Sequence, residues 1–341
     1  MTTVQLLSDS AAVNRQAALY ALGALADDWD AFGNADEVQV CIEVIAGYLR
    51  APRSADMLLP LDAEEAYYTE PEDFYASQRT TPQEVAVKHA GFTVIRNHLQ
   101  RGRSPHWHDR HINLSRAHID FPVDLIRSQI SDSGVLDFRD ARISHDGNID
   151  LAGISVSSRG RVLFANALVV GRGRMNLRSS AIVGRATVDL THLLVSGGRV
   201  DISNSTIADA GNILARAIRV THKGRMRIRK ASVYDNGFVD LSDSRIETAS
   251  LLDLRRMVVS EAGSVEIDHS TLESSGEVDF SHTTVDGRGR LGLQGVKVLN
   301  EGRISFRGVV VESGAVVDIA AVAVTEGGGI HRPDGTFFAS N

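Results

Sequence analysis

A 13-residue glycine period is the feature that most constrains how this chain of 341 residues can fold. From Arg110 to about Ile330 each unit reads roughly Gly-x-Val-Asp-Leu-x-x-Ala-x-Val-x-x-x, and residues 237–241 are a clear copy. A fixed period is typical of a solenoid, in which each unit buries its apolar face against its neighbours. The glycines on this period are Gly134, Gly147, Gly160, Gly173, Gly211, Gly224, Gly237, Gly263, Gly276, Gly289 and Gly302, and Ala186 and Ser250 fill the same slot in two further units.

The apolar residues of a unit come two, four, seven and nine positions after the slot, as in Val162, Phe164, Ala167 and Val169. Residues two apart lie on one face of an extended strand, so the aspartate between them, such as Asp240, is expected to point outward. A coil of one unit would hardly enclose a phenylalanine, so we expect two units, about 26 residues, per coil. The sequence therefore predicts a mainly β fold, a right-handed parallel β-helix of about seventeen units in eight or so coils, with glycine in left-handed or tight corners.

One unit is a residue short, because Ala186 and the next slot residue, Gly198, are only twelve positions apart. The deletion falls after Val195, in the connector between two strands. We expect the inward positions on both sides to stay in phase, since a one-residue shift inside a strand would turn its apolar side chains outward.

The first hundred residues lack the repeat and have helical spacing. Apolar residues three and four apart predict helices over Ala11–Ala26 and Asp36–Arg50. A third helix, ending near residue 100, is predicted to begin after Thr81, because this N-cap candidate is followed by Pro82 and by Glu84 in a capping-box pattern.

The chain is accordingly divided into three parts. A helical module is expected over residues 1–103, the solenoid over 104–330 and a C-terminal tail over 331–341. Within the first part, the polar and proline-punctuated stretch 52–82, whose acidic residues lie between 62 and 73, is expected to be a solvated connector.

Composition and charge argue against several classes of protein. The net charge of -7 argues against general nucleic-acid binding, which normally needs a basic surface. Cys41 is the only cysteine, so no intrachain disulfide can form and a reducing compartment is expected. Residues 1–15 lack a secretory signal pattern, and no run approaches the roughly 18 to 20 apolar residues of a transmembrane segment. A cytoplasmic location is therefore predicted.

The repeat and the helices together resemble a known family. The inward spacing within a unit is five, and Leu241–Ile246 and Val278–Thr283 resemble the alanine-aspartate-leucine-x-x theme of pentapeptide-repeat proteins. The stretches Ala17–Leu22, Val40–Pro52 and Glu84–Gln100 resemble the helical region that precedes pentapeptide-like repeats in many actinobacterial proteins. The resemblance implies a binding or scaffolding protein, and it carries over no catalytic residue.

Residues 106–111 are dense in metal-ligand side chains. His106, His108 and His111 are separated by one and two residues, and imidazole suits zinc, copper or nickel. The same stretch is the junction before the first coil, where a polar loop is expected in any case. The sequence therefore predicts no metal and no other cofactor, and these histidines are the metal candidates to examine.

The aspartates that share one slot of the repeat raise the question of catalysis. Paired carboxylates on a β-helix could hydrolyse glycosides, so a polysaccharide-active enzyme is an alternative function. If units stack two apart, a leucine separates Asp189 from Asp240, and Asp253 meets Asp279 only across the coil. Because the acids follow the repeat everywhere, a structural position is the favoured interpretation and no catalytic residue is assigned. These acids are Asp137, Asp150, Asp189, Asp201, Asp240, Asp253, Asp279 and Asp318.

A basic strip interrupts this acidic slot. Arg225, Arg227 and Arg229, flanked by Lys223 and Lys230, are the candidate contacts for a phosphate or an acidic partner. The predicted function is a non-enzymatic scaffold that binds a macromolecular partner, expected to be a protein, through the outer face of the solenoid. The resemblance to pentapeptide-repeat proteins implies a third hypothesis, DNA mimicry toward a topoisomerase, which a continuous acidic face would favour and the basic strip weighs against.

The terminal coils at the two ends of the rod need to be covered. Terminal coils of a β-helix expose unpaired backbone and need a cap against edge-to-edge association. The helical module is expected to cover the Arg110 end, with Leu99 and Trp107 as contacts. At the other end, either the tail at 336–338 folds over the last coil or two rods meet there as a homo-oligomer.

Overall fold

A computed structural model describes residues 3–59, 78–325, 327–332 and 337–339. Over these residues a helical module is followed by a parallel β-solenoid of about 8 turns, which confirms the predicted mainly β architecture. The acidic residues of the stretch 62–73 lie outside the described residues.

The three predicted helices are present, although the one expected to end at Ala26 continues to Ala31 and a short helix precedes it. The Thr81 hydroxyl accepts a hydrogen bond from the Glu84 backbone N–H, as the capping pattern predicts. No helix in the described ranges is long and apolar enough to cross a membrane. The helices of these ranges are α1 (Thr3–Leu6), α2 (Ala12–Ala31), α3 (Ala35–Arg50) and α4 (Pro82–Leu99), and a 3₁₀ turn covers Ala55–Met57.

The helical module packs against the first coil. Helix α2 packs on α3 and α4, α3 packs on the first strand of the solenoid and α4 on the third. Leu99 and Trp107 are 0% and 1% exposed. The Trp107 ring stacks on His98 with 3.9 Å between centroids, and His98 Nε2 lies 2.8 Å from an Asp27 carboxylate oxygen. The apolar core of the helices is therefore continuous with that of the solenoid, and the helices cover its first coil.

Each coil gives one short strand to each of four sheets, named A to D, within the described residues. Sheet A contains His111–Asn113, Val135–Asp137, Arg161–Leu163, Thr187–Asp189, Asn212–Leu214, Phe238–Asp240, Ser264–Glu266, Arg290–Gly292 and Val316–Asp318. Sheet B contains His118–Ile119, Arg142–Ile143, Leu168–Val170, Leu194–Ser196, Arg219–Thr221, Arg245–Ile246, Thr271–Leu272, Lys297–Val298 and Ala323–Val324.

The other two sheets complete the coil. Sheet C contains Pro122–Asp124, Asn148–Asp150, Arg174–Asn176, Arg199–Asp201, Arg225–Arg227, Leu251–Asp253, Glu277–Asp279, Arg303–Ser305, Gly329–His331 and Phe337–Ala339. Sheet D contains Gln129–Ile130, Ser155–Val156, Ala181–Ile182, Thr206–Ile207, Ser232–Val233, Val258–Val259, Thr284–Val285 and Val310–Val311.

The register confirms two units per coil. Val135 pairs with Arg161 in the next coil, and most cross-coil contacts join residues 26 positions apart. The first coil has a shorter step, since His111 pairs with Val135. Across the short unit the step is 25, since Thr187 pairs with Asn212. Val195 is nevertheless 0% exposed, so the inward positions stay in phase as expected.

Inward side chains of successive coils stack on one another. The rings of Phe138 and Phe164 are 5.0 Å apart and within 3° of parallel, and those of Phe280 and Phe306 are 5.5 Å apart. Both spacings are close to the ~4.8 Å that separates neighbouring strands. Equivalent residues lie directly above one another, because parallel strands pair without a shift.

The slot glycines are required for close approach between coils. None of them has a positive φ, so the expectation of a left-handed corner is wrong for this slot. A Cβ on Gly134 would lie 2.0 Å from the carbonyl oxygen of His108, and one on Gly276 would lie 2.0 Å from that of Ile246. The left-handed conformation falls instead on residues just before the slot, such as Asp132 with φ 54°.

The stretch predicted as a solvated connector is anchored at both of its described ends. Arg53, with a side chain only 5% exposed, forms a 3.0 Å salt bridge to Asp120. The Thr80 hydroxyl donates a 2.7 Å hydrogen bond to the same carboxylate, and Leu58 is buried. The expectation of a solvated connector is wrong at these two ends. The buried carboxylate of Asp120 requires polar partners, and Arg53 and Thr80 supply them.

The C-terminal end has no helical cover within the described residues. The strand Phe337–Ala339 pairs antiparallel with Gly329–His331 and so adds an edge strand to sheet C. The last coil leaves large apolar side chains about half exposed, namely Val310 (51%), Val311 (49%), Val316 (51%) and Ile319 (58%).

Candidate interaction face

The aspartate slot is occupied by a recurring turn. In each of the eight predicted units, the aspartate Oδ1 accepts a hydrogen bond from the backbone N–H two residues later. Asp150 accepts from Ala152 at 3.0 Å and Asp189 from Thr191 at 2.9 Å. Such turns satisfy a backbone donor where the chain leaves the strand. The other six acceptors are Asp137, Asp201, Asp240, Asp253, Asp279 and Asp318.

Several of these carboxylates are buried, which corrects the expectation that the slot points outward. Asp137 and Asp253 are 0% exposed. Burial alone would raise the pKa of Asp137, but hydrogen bonds from the side chain and backbone of Arg139 hold the pKa below its usual value. Arg255 does the same for the pKa of Asp253. Both carboxylates are thus stabilised in the ionised form by neighbours in the repeat.

The acids form columns along sheets A and C. A leucine separates Asp189 from Asp240, as predicted. Asp253 and Asp279, however, pair in register in successive coils, so the expectation that they meet only across the coil is wrong. The two positions are two units apart, which is one full coil. Arg255 lies between them, 2.7 Å from Asp253 and 3.4 Å from Asp279.

Neither column is continuously acidic. In sheet A, Leu163 separates Asp137 from Asp189. In sheet C, the register places Arg227 between Asp201 and Asp253. A continuous acidic face, the feature that would favour DNA mimicry, is therefore missing from the described part of both sheets.

The predicted contact residues lie on and just after the strand Arg225–Arg227 of sheet C. Among the described residues, no carboxylate oxygen lies within 4.0 Å of the nitrogens of Arg225, Arg227 or Arg229. Burial and the charges of Arg199 and Arg229 lower the pKa of Arg227, although Asp201 opposes the shift. The Arg227 Nε is buried and has no hydrogen-bond partner in the described structure.

Arg225 and Arg229 line two different cavities. Arg174, Arg199 and Arg225 pair in register in successive coils, and we name this set the arginine ladder. The ladder lines a cavity of about 310 Å³. Arg229 lies two residues past the end of the strand and lines a cavity of about 640 Å³.

The larger cavity contains charges of both signs. Burial and the neighbouring charge of Asp279 raise the pKa of Glu277. Asp279 itself accepts a hydrogen bond from the Ser281 backbone N–H and lies beside Arg255. The cationic residues that line this cavity are Arg229, Lys230, Arg255, Arg256, Arg303 and Arg307.

The histidine candidates do not form a shared site. The rings of His106 and His108 stack with centroids 4.4 Å apart, and His108 Nε2 lies 3.2 Å from the Gln100 carbonyl oxygen. His111 lies instead near the carboxylate of Asp137, at 3.9 Å. In the described ranges, no three histidine, cysteine, aspartate or glutamate side chains are grouped so that they could hold a metal ion.

Sequence reasoning missed a buried polar network at the junction between helices and solenoid. His118 Nδ1 lies 2.8 Å from the Arg53 guanidinium, and Arg53 is paired with Asp120. A second buried salt bridge joins Arg15 to Glu84 at 2.9 Å. The partners are far apart in the sequence, so no local spacing marks them.

The whole chain can also be compared with known proteins. No family model matches the chain, and no curated protein matches it. Among solved structures, one similar chain is HetL, a pentapeptide repeat protein involved in heterocyst differentiation regulation from the cyanobacterium Nostoc. It is 13% identical with a TM-score of 0.23, over 67% of this chain and 92% of HetL. Another is a hyper-glycosylated TibA fragment, 18% identical with a TM-score of 0.17, over 63% of this chain and 90% of the fragment.

Proposed function

We propose that this chain is a non-enzymatic scaffold that binds an acidic protein partner through the arginine ladder and the adjoining Arg227 and Arg229. The observation that carries the proposal is the stacking of three exposed arginines in register, without a carboxylate in reach, on a chain of net charge -7. Like charges opposite one another on neighbouring strands are destabilising. An anionic partner surface would offset this repulsion, and arginine is enriched at protein interfaces.

The non-enzymatic part of the proposal is supported by how the aspartates are used. Each aspartate of the slot already accepts a backbone hydrogen bond within its own turn. A catalytic carboxylate must instead reach the substrate at a place where other reactive groups converge. The same turn recurs along the rod, which is the behaviour of a structural position.

The test is affinity capture from the native host with the full chain as bait. Wild type is compared with Arg225→Glu/Arg229→Glu and with Arg161→Glu. Arg161 is the matched control, since it is exposed and also follows a slot glycine but lies on sheet A. We expect one protein to be retained by wild type and Arg161→Glu and reduced by the double variant. Equal retention by all three baits would refute the proposed face.

A polysaccharide-active enzyme is the second candidate, and one observation favours it. Glu277, whose pKa is raised, and the carboxylate of Asp279 line the same cavity of about 640 Å³. Glycosidases use a carboxylic acid of raised pKa together with a second carboxylate. The test is sugar release from a panel of polysaccharides, which Glu277→Gln should abolish if this candidate is correct. If no polysaccharide is cleaved, the scaffold remains as the proposal.

A further inference from the structure

The residue missing from the unit 186–198 changes the shape of the outer face. The strands Leu194–Ser196 and Arg199–Asp201 are joined by only two residues, Gly197 and Gly198. The equivalent connectors in the coils on either side, residues 171–173 and 222–224, contain three residues each. The shortened connector thus lies between two longer ones. The cavity of about 310 Å³, here called the notch, is found at this point.

The notch is lined by glycines and cations alone. Its glycines are Gly171, Gly173, Gly197 and Gly198, and its cations are the arginine ladder together with Arg172 and Lys223. Arg172 is paired with Asp146 at 3.2 Å. For the other four cations, no carboxylate of the described residues lies within the 4.0 Å of an ion pair.

This arrangement favours one class of ligand. Strand pairing holds the backbones of the three ladder arginines about 4.8 Å apart, and like charges at such paired positions repel one another. The planar guanidinium group matches the oxygens of phosphate or sulfate in a forked geometry. Glycine walls allow such an anion to approach the backbone closely. A carboxylate ligand would pair with fewer of these guanidinium groups, because it has only two oxygens and one charge.

We propose that the notch binds a tetrahedral oxyanion of the phosphate class, carried either by a small molecule or by a phosphorylated side chain of the protein partner. This inference rests on the proposed function in that Arg225 belongs to both surfaces. It goes further by naming the chemistry that the ladder recognises. Several adjacent cations favour a ligand with more than one negative charge, so pyrophosphate is the appropriate free probe.

Gly197, in the notch, can be replaced by a charged residue and by an uncharged one of similar size. Gly197 has φ 71°, and a Cβ there would meet only the backbone of Gly171, at 3.5 Å or more. Aspartate already occupies left-handed turn positions in this fold, for example Asp209 with φ 50°. Gly197→Asp should therefore fold and place a carboxylate among the cations. Gly197→Asn is the uncharged control of similar size, and Asn also tolerates this conformation.

The experiment is isothermal titration calorimetry of the full chain with inorganic pyrophosphate. We expect saturable binding that Gly197→Asp and Arg199→Gln each weaken roughly tenfold or more. Gly197→Asn should weaken it less, and Arg161→Gln should leave it unchanged. Absence of saturable binding would overturn the proposal, and so would equal affinity of wild type and Arg199→Gln. The second variant keeps the test valid if Gly197→Asp fails to fold.

A second arm distinguishes the two sources of the oxyanion. A peptide with one central phosphoserine is compared with its unphosphorylated form and with free phosphoserine. Tighter binding of the phosphopeptide than of phosphoserine assigns the oxyanion to a protein, and equal binding assigns it to a small molecule. If neither phosphorylated probe nor pyrophosphate binds while Arg225→Glu/Arg229→Glu still loses the captured partner, the notch inference fails and the proposed function stands.

Discussion

His118, at the junction between the helices and the solenoid, makes the stability of the fold depend on pH. The His118 ring lies between Arg53 and Ser144, with Nδ1 2.8 Å from the Arg53 guanidinium and Nε2 2.9 Å from the Ser144 hydroxyl oxygen. Because arginine only donates hydrogen bonds, Nδ1 must accept and Nε2 carries the proton. Burial and the charges of Arg53, Arg142, His145 and Lys88 lower the pKa of His118 to about 2. The ring is therefore neutral in the folded protein at ordinary pH.

This neutral histidine predicts a loss of stability in acid. The unfolded chain binds a proton at His118 near pH 6.5, whereas the folded chain does not until about pH 2. Stability contributed by the neutral ring is thus present above pH 6.5 and falls below it by up to about 1.4 kcal/mol per pH unit. His118→Gln should flatten the urea-unfolding free energy between pH 7 and 5. The same slope in both proteins would contradict the assignment.

Residue-level prediction succeeded where the cause was local. The cap at Thr81 depends on Glu84 three positions away, and both follow from a short pattern. The pair of Arg53 and Asp120 depends on the fold itself, because the partners are separated by 67 positions. A spacing pattern contains no signal for such contacts, so the junction network could only be found in the structure.

At the scale of the coil, the repeat predicted most of the architecture. The period, the phase of the apolar residues and the size of Phe164 together predict two units per coil. The role of the slot glycine was harder to predict, because a left-handed corner and a close approach both exclude a side chain. Ala186 and Ser250 occupy the same slot and are buried, so the slot accommodates a Cβ in these two units.

The coil assignment predicts opposite effects for inward and outward substitutions. Phe164 is 0% exposed and stacked on Phe138, so Phe164→Asp should cost several kcal/mol by burying an unpaired carboxylate. Arg161 is exposed, and Arg161→Asp should change stability by no more than about 0.5 kcal/mol. Thermal unfolding measures both. Equal destabilisation by the two variants would be inconsistent with the coil.

At the scale of the whole molecule, the two ends of the rod differ. The helices cover the first coil, whereas the last coil leaves Val316 and Ile319 about half exposed. Exposed apolar groups beside unpaired strand edges favour association of two ends. We predict that Ile319→Lys shifts self-association toward the monomer in size-exclusion chromatography with light scattering. Val258→Lys, at an apolar position 41% exposed on the side of the rod, is the control. An unchanged mass for Ile319→Lys would place any self-association elsewhere.

The contact face was only half predictable from the sequence. The break in the aspartate slot at Arg227 is visible as a break in the repeat. The partners Arg174 and Arg199 are not, because they become neighbours of Arg225 only once the coil length and the one-residue deletion are known. The sequence predicts that the deletion shortens a connector and leaves the inward positions in phase, but it gives no sign that the deletion lies at a cavity lined by cations.

The central claim is that function resides in an extended arginine face and not in one catalytic group. The most direct test is the affinity of the captured partner for five single variants, Arg174→Gln, Arg199→Gln, Arg225→Gln, Arg227→Gln and Arg229→Gln, with Arg161→Gln as control. A shared face predicts graded losses of about 1 to 2 kcal/mol for each variant, with no loss for the control. Complete loss of binding in one variant with none in the other four would contradict the claim, and so would unchanged affinity in all five.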